Sequence, residues 1–239
     1  ITCRVGGNRY TRYYFGQETG ENAKPFRFPQ VDNWEELRKQ ANEAVMPAAL
    51  ATGEAVTLVD VATIPNVKIE NVYAGVDNIF GAPLYTVNKL YLGSKAVEAL
   101  TKVQERLASK GYGLVVWDAY RPWAVSKLAH LALPADKKYM LEDPDLKGNK
   151  HNTGNAVDVS LYDLETGEAI EMSSGFDEPS MRQYASYPGG TERQRYLRTM
   201  LRETMEEFGF TGIEMEWWHF EYDAQTAYAH QNIPLENLK

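Results

Sequence analysis

The chain has 239 residues, 44 % hydrophobic and 24 % charged, an ordinary globular composition with room for one large domain or two small ones. Acidic residues outnumber basic ones 33 to 25, for a net charge of −8, which argues against nucleic acid as a partner because phosphate binding needs clustered Lys and Arg. Cys3 is the single cysteine, so an internal disulfide and a Cys-based zinc cluster are ruled out, and no apolar run approaches the ~20 residues of a membrane helix.

Residues 1–33, rich in Gly, Asn, Arg and Tyr without clear periodicity, read as an irregular extension. "WEELRKQANEAV" (34–45) predicts a short helix capped by Asn33 or Asp32. "AVTLVDVATIP" (55–65) is a β-branched strand candidate ended by Pro65, and "VKIENVYAG" is a second. "DNIFGAPLY" (77–85) reads as a loop broken at Gly81 and Pro83. "SKAVEALTKVQERLASKG" is the clearest helix of the first half: Ser94 caps it, Val97, Leu100, Val103 and Leu107 form one apolar stripe, and Gly111 ends it. "GLVVWDAY" (113–120) follows as a strand, and "RPWAVSKLAHLA" as a helix with Pro122 near its first turn.

"AVDVSLYD" (156–163) alternates as a strand. Residues 191–208 predict an amphipathic helix with Leu197, Leu201, Thr204 and Phe208 on one side and Gly209 as its stop, and "EWWHFEY" (216–222) reads as a final strand. Strands and helices segregate irregularly rather than as βαβ units, which predicts an α+β fold with a mainly antiparallel sheet. The chain starts at Ile1 rather than Met, which reads as removal of something upstream, a leader or other added sequence; with the extra N-terminal segment it leans towards periplasmic or other export, with the cytoplasm as the alternative.

The histidines are few: His130, His151, His219 and His230. His151 precedes the Gly154 break, and strand alternation puts Asp158 on a polar face with Ser160 and Tyr162, opposite Val157, Val159 and Leu161. A second imidazole from His219 completes two His and one carboxylate, the set of catalytic zinc sites that leave a fourth position to water. Glu216 becomes the general base of such a site only if a bulge or a strand start separates it from His219, since an odd separation on a strand points to opposite faces. Arg121, at the end of an apolar strand, is suited to clamp a carbonyl or carboxylate oxygen. Plainer readings stand beside these. A histidine among aromatics serves as a hydrogen-bonded core residue, Arg121 as an ion pair with Asp118, the Trp pair as core, and His130 and His230 as surface or packing residues.

"HNTGNAVD" resembles the His-x-x-Gly-x-Ala-x-Asp signature of the zinc D-alanyl peptidases, "EWWH" the Glu-x-x-His ending, and "DAYRP" the arginine motif of that group. In this order, over roughly residues 59–222, they resemble the D-alanyl-D-alanine dipeptidases, which include the vancomycin-resistance dipeptidase. The resemblance implies the zinc D-alanyl peptidase fold shared with the hedgehog domain, a small antiparallel sheet flanked by helices, with residues 56–239 as the catalytic domain and 1–55 as an extension packed on or near it. It implies one Zn²⁺ held by His151, Asp158 and His219, with Glu216 as base then acid and Arg121 stabilising the oxyanion. It also implies a small dipeptide as substrate.

"GFDE" (175–178) resembles the segment whose aspartate receives the substrate ammonium, which makes Asp177 the candidate. Where the family pattern has Ser two residues before the first His, this chain has Asn149, a longer donor for the substrate's carboxylate end. Tyr10, Tyr13, Tyr14 and Phe15 are expected to add a wall to the pocket. The same fold also serves D,D-carboxypeptidases and endopeptidases of peptidoglycan stems, and zinc-containing domains that bind without hydrolysis. "DAYRP" and the double Trp favour the dipeptidase branch, and Glu216 with Arg121 count against the binding domain.

Overall fold

The structure, a computed structural model, describes residues 2–5, 8–11 and 26–238. β1 (Thr2–Val5) and β2 (Asn8–Thr11) pair antiparallel, so the N-terminal segment is not irregular throughout. Tyr13, Tyr14 and Phe15 of the expected pocket wall lie outside the described residues, as does the side chain of Tyr10. Among the described residues no helix is long and apolar enough to cross a membrane.

A five-stranded sheet runs in the order β4 (Lys68–Ile69), β6 (Tyr112–Asp118), β7 (Ala156–Asp163), β9 (His219–Tyr222), β8 (Phe210–Gly212). Only the β4–β6 pairing is parallel; the other three are antiparallel. A smaller antiparallel pair joins β3 (Leu58–Asp60) to β5 (Tyr91–Gly93). The α+β fold with a mainly antiparallel sheet is as the sequence predicts. The strand expected over 55–65 is shorter, because the Asp60 carboxylate accepts the Ala62 N–H at 2.9 Å and turns the chain into a 3₁₀ turn at Val61–Thr63. "VKIENVYAG" likewise keeps only two strand residues before a 3₁₀ turn at Val72–Ala74.

α2 (Ser94–Ala108) and α4 (Glu192–Glu207) cover one face of the large sheet. The α2 stripe of Val97, Leu100, Val103 and Leu107 meets Leu114 and Val116 of β6 and Val157, Val159 and Leu161 of β7 in one buried core. Each such fully buried side chain contributes roughly 1.5–3 kcal/mol. Gly93, not Ser94, holds the N-cap position of α2. Thr191 caps α4 in a reciprocal box: its Oγ1 accepts the Gln194 N–H at 3.1 Å, and Gln194 Oε1 accepts the Thr191 N–H at 2.9 Å. A second core gathers Tyr73, Tyr85, Tyr91 and Tyr120 with α1 (Trp34–Glu43) and α3 (Trp123–Ala132).

The face of the sheet turned away from α2 and α4 carries the polar residues. Asp158 lies opposite His219 in the β7–β9 register and opposite Asp118 in the β6–β7 register, a row across three strands. Asp118 reaches that row through a register shift: Val116 pairs with Val159, and Asp118, two residues on, pairs with Asp158, one residue back. Trp117 is the extra residue of this bulge; were Trp117 paired in a regular ladder instead, the period of two would send the Asp118 side chain into the core.

Candidate active site

His151 stands in a 3₁₀ turn (Lys150–Thr153) closed by a double amide cap. Asn149 Oδ1 accepts the His151 N–H at 2.9 Å, and Asn152 Oδ1 accepts the Asn149 N–H at 2.8 Å. The turn ends at Gly154 with φ +80°, where a Cβ would come within 2.7 Å of Leu58 and 2.9 Å of Val56, so only glycine lets the chain pass straight into β7. This places His151 above Asp158. Its Nδ1–H donates to the Ala119 carbonyl at 2.6 Å, which aims the Nε2 lone pair at the row on the sheet.

There the donor atoms converge. His151 Nε2 is 3.2 Å from His219 Nδ1 and 3.3 Å from Asp158 Oδ2, and His219 Nδ1 is 3.0 Å from Asp158 Oδ1. Two ligands on a small tetrahedral cation with bonds of about 2.05 Å sit about 3.3 Å apart, so these spacings are those of three corners of one coordination shell. One ligand atom from each of the three residues falls within 4.8 Å of the others, all three residues are buried, and no fourth His, Cys, Asp or Glu joins the group among the described residues. Two imidazole nitrogens this close repel unless a cation or proton lies between them. Burial works against a charged His219, but the hydrogen bond to Asp158 and the neighbouring carboxylates of Glu221 and Glu216 win and raise its pKa to about 10. Burial likewise opposes the Asp158 carboxylate, while His151 and His219 hold it well below the usual range. Without metal the pocket traps a proton, which a cation must displace.

Glu216 is not on the strand at all. It opens the turn before β9, whose His219 N–H donates to the Glu216 carbonyl at 3.2 Å, and its Oε2 lies 4.0 Å from His219 Nδ1. The strand start at His219 removes the parity conflict, and the predicted strand 216–222 shrinks to His219–Tyr222. Burial raises the Glu216 pKa, and Asp158 adds to this against the opposing charge of His219. Trp217 and Trp218 are core residues beneath the turn, packed edge-to-face against each other and, in turn, against Trp117 and Phe176.

Arg121 makes the ion pair with Asp118 that its plainer reading expected. Its Nε and Nη2 donate to Asp118 Oδ2 at 3.0 and 2.5 Å, and its guanidinium also borders the cleft, 5.1 Å over the Tyr73 ring. Asp118 is fully buried, and its other oxygen accepts the Tyr85 hydroxyl at 2.6 Å. Asp177 sits in the loop between β7 and α4 with φ +53°, a strained conformation for a residue with a side chain, and accepts a hydrogen bond from the Tyr73 hydroxyl. Burial first, then the charges of Glu216 and Asp158, push its pKa up to about 7 against the Tyr73 hydrogen bond and Arg121. Arg198 of α4 holds both ends of this loop, donating to Ser173 Oγ at 2.9 Å and to the Tyr187 carbonyl at 2.5 Å.

A cleft of about 620 Å³ opens over this face and is lined by His151, Asp158, His219, Glu216, Arg121 and Asp177, with Asn149 on its border. All seven residues singled out from the sequence therefore meet one space. Tyr73, Tyr85, Asp118 as a clamp, Lys150 and Glu221 were not found from the sequence. His230, read as a surface or packing residue, borders the cleft with its Nδ1 3.1 Å from the Leu50 carbonyl. Glu221 had a usable signal, since two residues beyond His219 on a strand is the same face. The tyrosines carried none.

Residues 54–236 match the profile of the M15 peptidases described as D-ala-D-ala dipeptidase. The chain belongs to this dipeptidase family. It is 37 % identical over 172 residues to the D-alanyl-D-alanine dipeptidase of Escherichia coli (strain K12), covering 72 % of this chain and 87 % of that one. It is 32 % identical over 174 residues to that of Enterococcus faecium, covering 66 % and 86 %. Among solved structures, the vancomycin-resistance D,D-dipeptidase VanXYg in complex with a D-Ala-D-Ala phosphinate analog aligns over 70 % of this chain and 66 % of that one, at 16 % identity and a TM-score of 0.38, too loosely to add weight. Membership of the dipeptidase family makes the chain a peptidase, and the His151, Asp158, His219 group is its candidate metal centre.

Proposed function

We propose that this M15 family member hydrolyses D-alanyl-D-alanine or a similar small dipeptide with one Zn²⁺ per chain. The observation that carries the reading is the convergence of His151, Asp158 and His219 within 4.8 Å on the wall of a cleft that also holds Glu216, Arg121 and Asp177. Two imidazoles and one carboxylate are a donor set for zinc with a vertex left open. Bound there, zinc supplies a water that ionises near pH 7 instead of 15.7 and a positive charge beside the scissile carbonyl.

The remaining work falls to the chain. Glu216, its pKa raised, takes a proton from the attacking water at its carboxylate and returns it to the leaving amine. Arg121 spends two of its five N–H groups on Asp118, which fixes the plane of the guanidinium and leaves others for the carbonyl oxygen as negative charge develops. Asp177 receives the substrate's free ammonium. Asn149 has its Oδ1 committed to the His151 N–H, so its amide N–H groups are the side offered to the substrate's carboxylate.

Metal content and hydrolysis of a small panel test the proposal. The expected result is one zinc per chain, turnover of D-Ala-D-Ala, and none of a stem pentapeptide. Release of terminal D-Ala from the pentapeptide would make the protein a carboxypeptidase, and full zinc loading without turnover of any peptide a binding domain.

Asp177→Asn is expected to abolish ammonium recognition, raising KM, and yet to stabilise the metal-free protein. An acid whose pKa is about 7 in the fold, against an ordinary 3.8, favours the unfolded chain once it must ionise. At 1.36 kcal/mol per tenfold the ceiling is about 4 kcal/mol, and partial exposure to the cleft brings the expected gain to about 2 kcal/mol. The gain is full above pH 7 and fades as pH falls towards 4. Urea unfolding at pH 8 and pH 4 checks both sign and window; an unchanged midpoint at pH 8 refutes the burial cost.

A further inference from the structure

The two histidines of the metal centre present different nitrogens to it, and their remote nitrogens meet different partners. His151 donates from Nδ1 to a neutral carbonyl, that of Ala119. His219 turns Nδ1 inward, so its Nε2 points along β9 to Glu221, whose Oε1 lies 3.7 Å away. Glu221 is two residues further along the strand and therefore on the same face, opposite Ala156 in the register. Its other oxygen lies 3.3 Å from Lys150 Nζ, on the turn that carries His151. The His219 side chain is only 8 % exposed, so an Nε2–H without an acceptor would be a buried donor left unpaired. A small turn of the Glu221 side chain closes 3.7 Å to a hydrogen bond.

We propose that Glu221 is a positioning residue of the metal centre: it holds the His219 proton on Nε2, so that the Nδ1 lone pair faces the ion. Lys150 shares the charge of Glu221 and ties the His151 turn to β9. This rests on the metal reading proposed above. A histidine ligand whose distal N–H is held by a carboxylate is fixed in tautomer and ring orientation and is the more basic for it.

The test is zinc affinity by chelator competition at fixed pH, a readout independent of turnover, with circular dichroism to confirm the fold of each variant. Glu221→Ala is expected to weaken zinc binding about 10–100-fold, and Glu221→Gln, which keeps an acceptor oxygen, to restore most of that loss. Removing Glu221 also frees the Lys150 charge beside the ion, so Lys150→Met/Glu221→Ala is the deciding variant. Weak binding that persists in it supports a positioning role. Affinity restored to the parent's value assigns the effect to lysine repulsion and overturns the proposal, as does Glu221→Ala within twofold of the parent. If the parent chain itself binds no zinc, the metal reading fails instead.

Discussion

Glu216→Ala is expected to bind zinc as the parent does and to lose turnover by about 10²–10⁴-fold, the usual contribution of a positioned acid–base group. The two outcomes separate because Glu216 lies outside the donor group. Its Oε2 is 4.0 Å from His219 Nδ1, while the ligand atoms lie 3.0–3.3 Å from one another. Its side chain is 40 % exposed to the cleft, so truncation leaves little cavity and costs little stability. Burial already holds its pKa above the ordinary value, so it exchanges a proton nearer neutral pH than a surface glutamate does. Activity of the parent should accordingly fall as the pH drops through the Glu216 titration. Metal content by elemental analysis beside kcat on D-Ala-D-Ala is the measurement, and a fully active variant removes Glu216 from the role.

Arg121→Ala should cost twice over. Loss of one donor to a developing oxyanion typically lowers kcat about 10²–10³-fold. Stability should also fall, by about 3–5 kcal/mol, because Asp118 has no exposure and loses the cation that compensates its charge. Arg121→Lys keeps the charge but not the planar fork, since one ammonium cannot reproduce the Nε and Nη2 pair on a single oxygen, and is expected to recover stability better than rate. The pair Asp118→Asn/Arg121→Met distinguishes the two losses: urea unfolding should return most of the way to the parent while activity stays low. If Arg121→Ala unfolds at the parent's denaturant midpoint, the buried pair is not what holds Asp118.

The elements legible in the sequence are those whose period is uninterrupted. Val97, Leu100, Val103 and Leu107 marked α2, and the alternation of Ala156 to Tyr162 marked β7, because in both one face is buried along its whole length. Strands were overrun where a polar side chain bends the chain locally: Asp60 caps a turn inside what reads as continuous β-branched sequence. The candidate metal ligands stood out because few histidines and strand alternation offered them as one option, and the ordered likeness of their motifs to the dipeptidases singled them out. Their supports could not. Tyr73 under Arg121 and Tyr85 on Asp118 join residues 48 and 33 positions apart, Arg198 bracing the Asp177 loop reaches 25 and 11 positions back, and such pairs leave no local pattern. The bulge at Trp117 was hidden for the same reason, since an extra residue in one strand is defined only against its partner.

That single inserted residue has a consequence for how the strand can drift. Apolar exchanges at Leu114 or Val116 alter packing and leave the catalytic face where it is, whereas a regular ladder that paired Trp117 with Asp158 would turn the next carboxylate, Asp118, into the oily layer. The strand thus tolerates changes of letter at those positions far better than a change of register, and its pairing, more than its composition, is the heritable part of the chemistry.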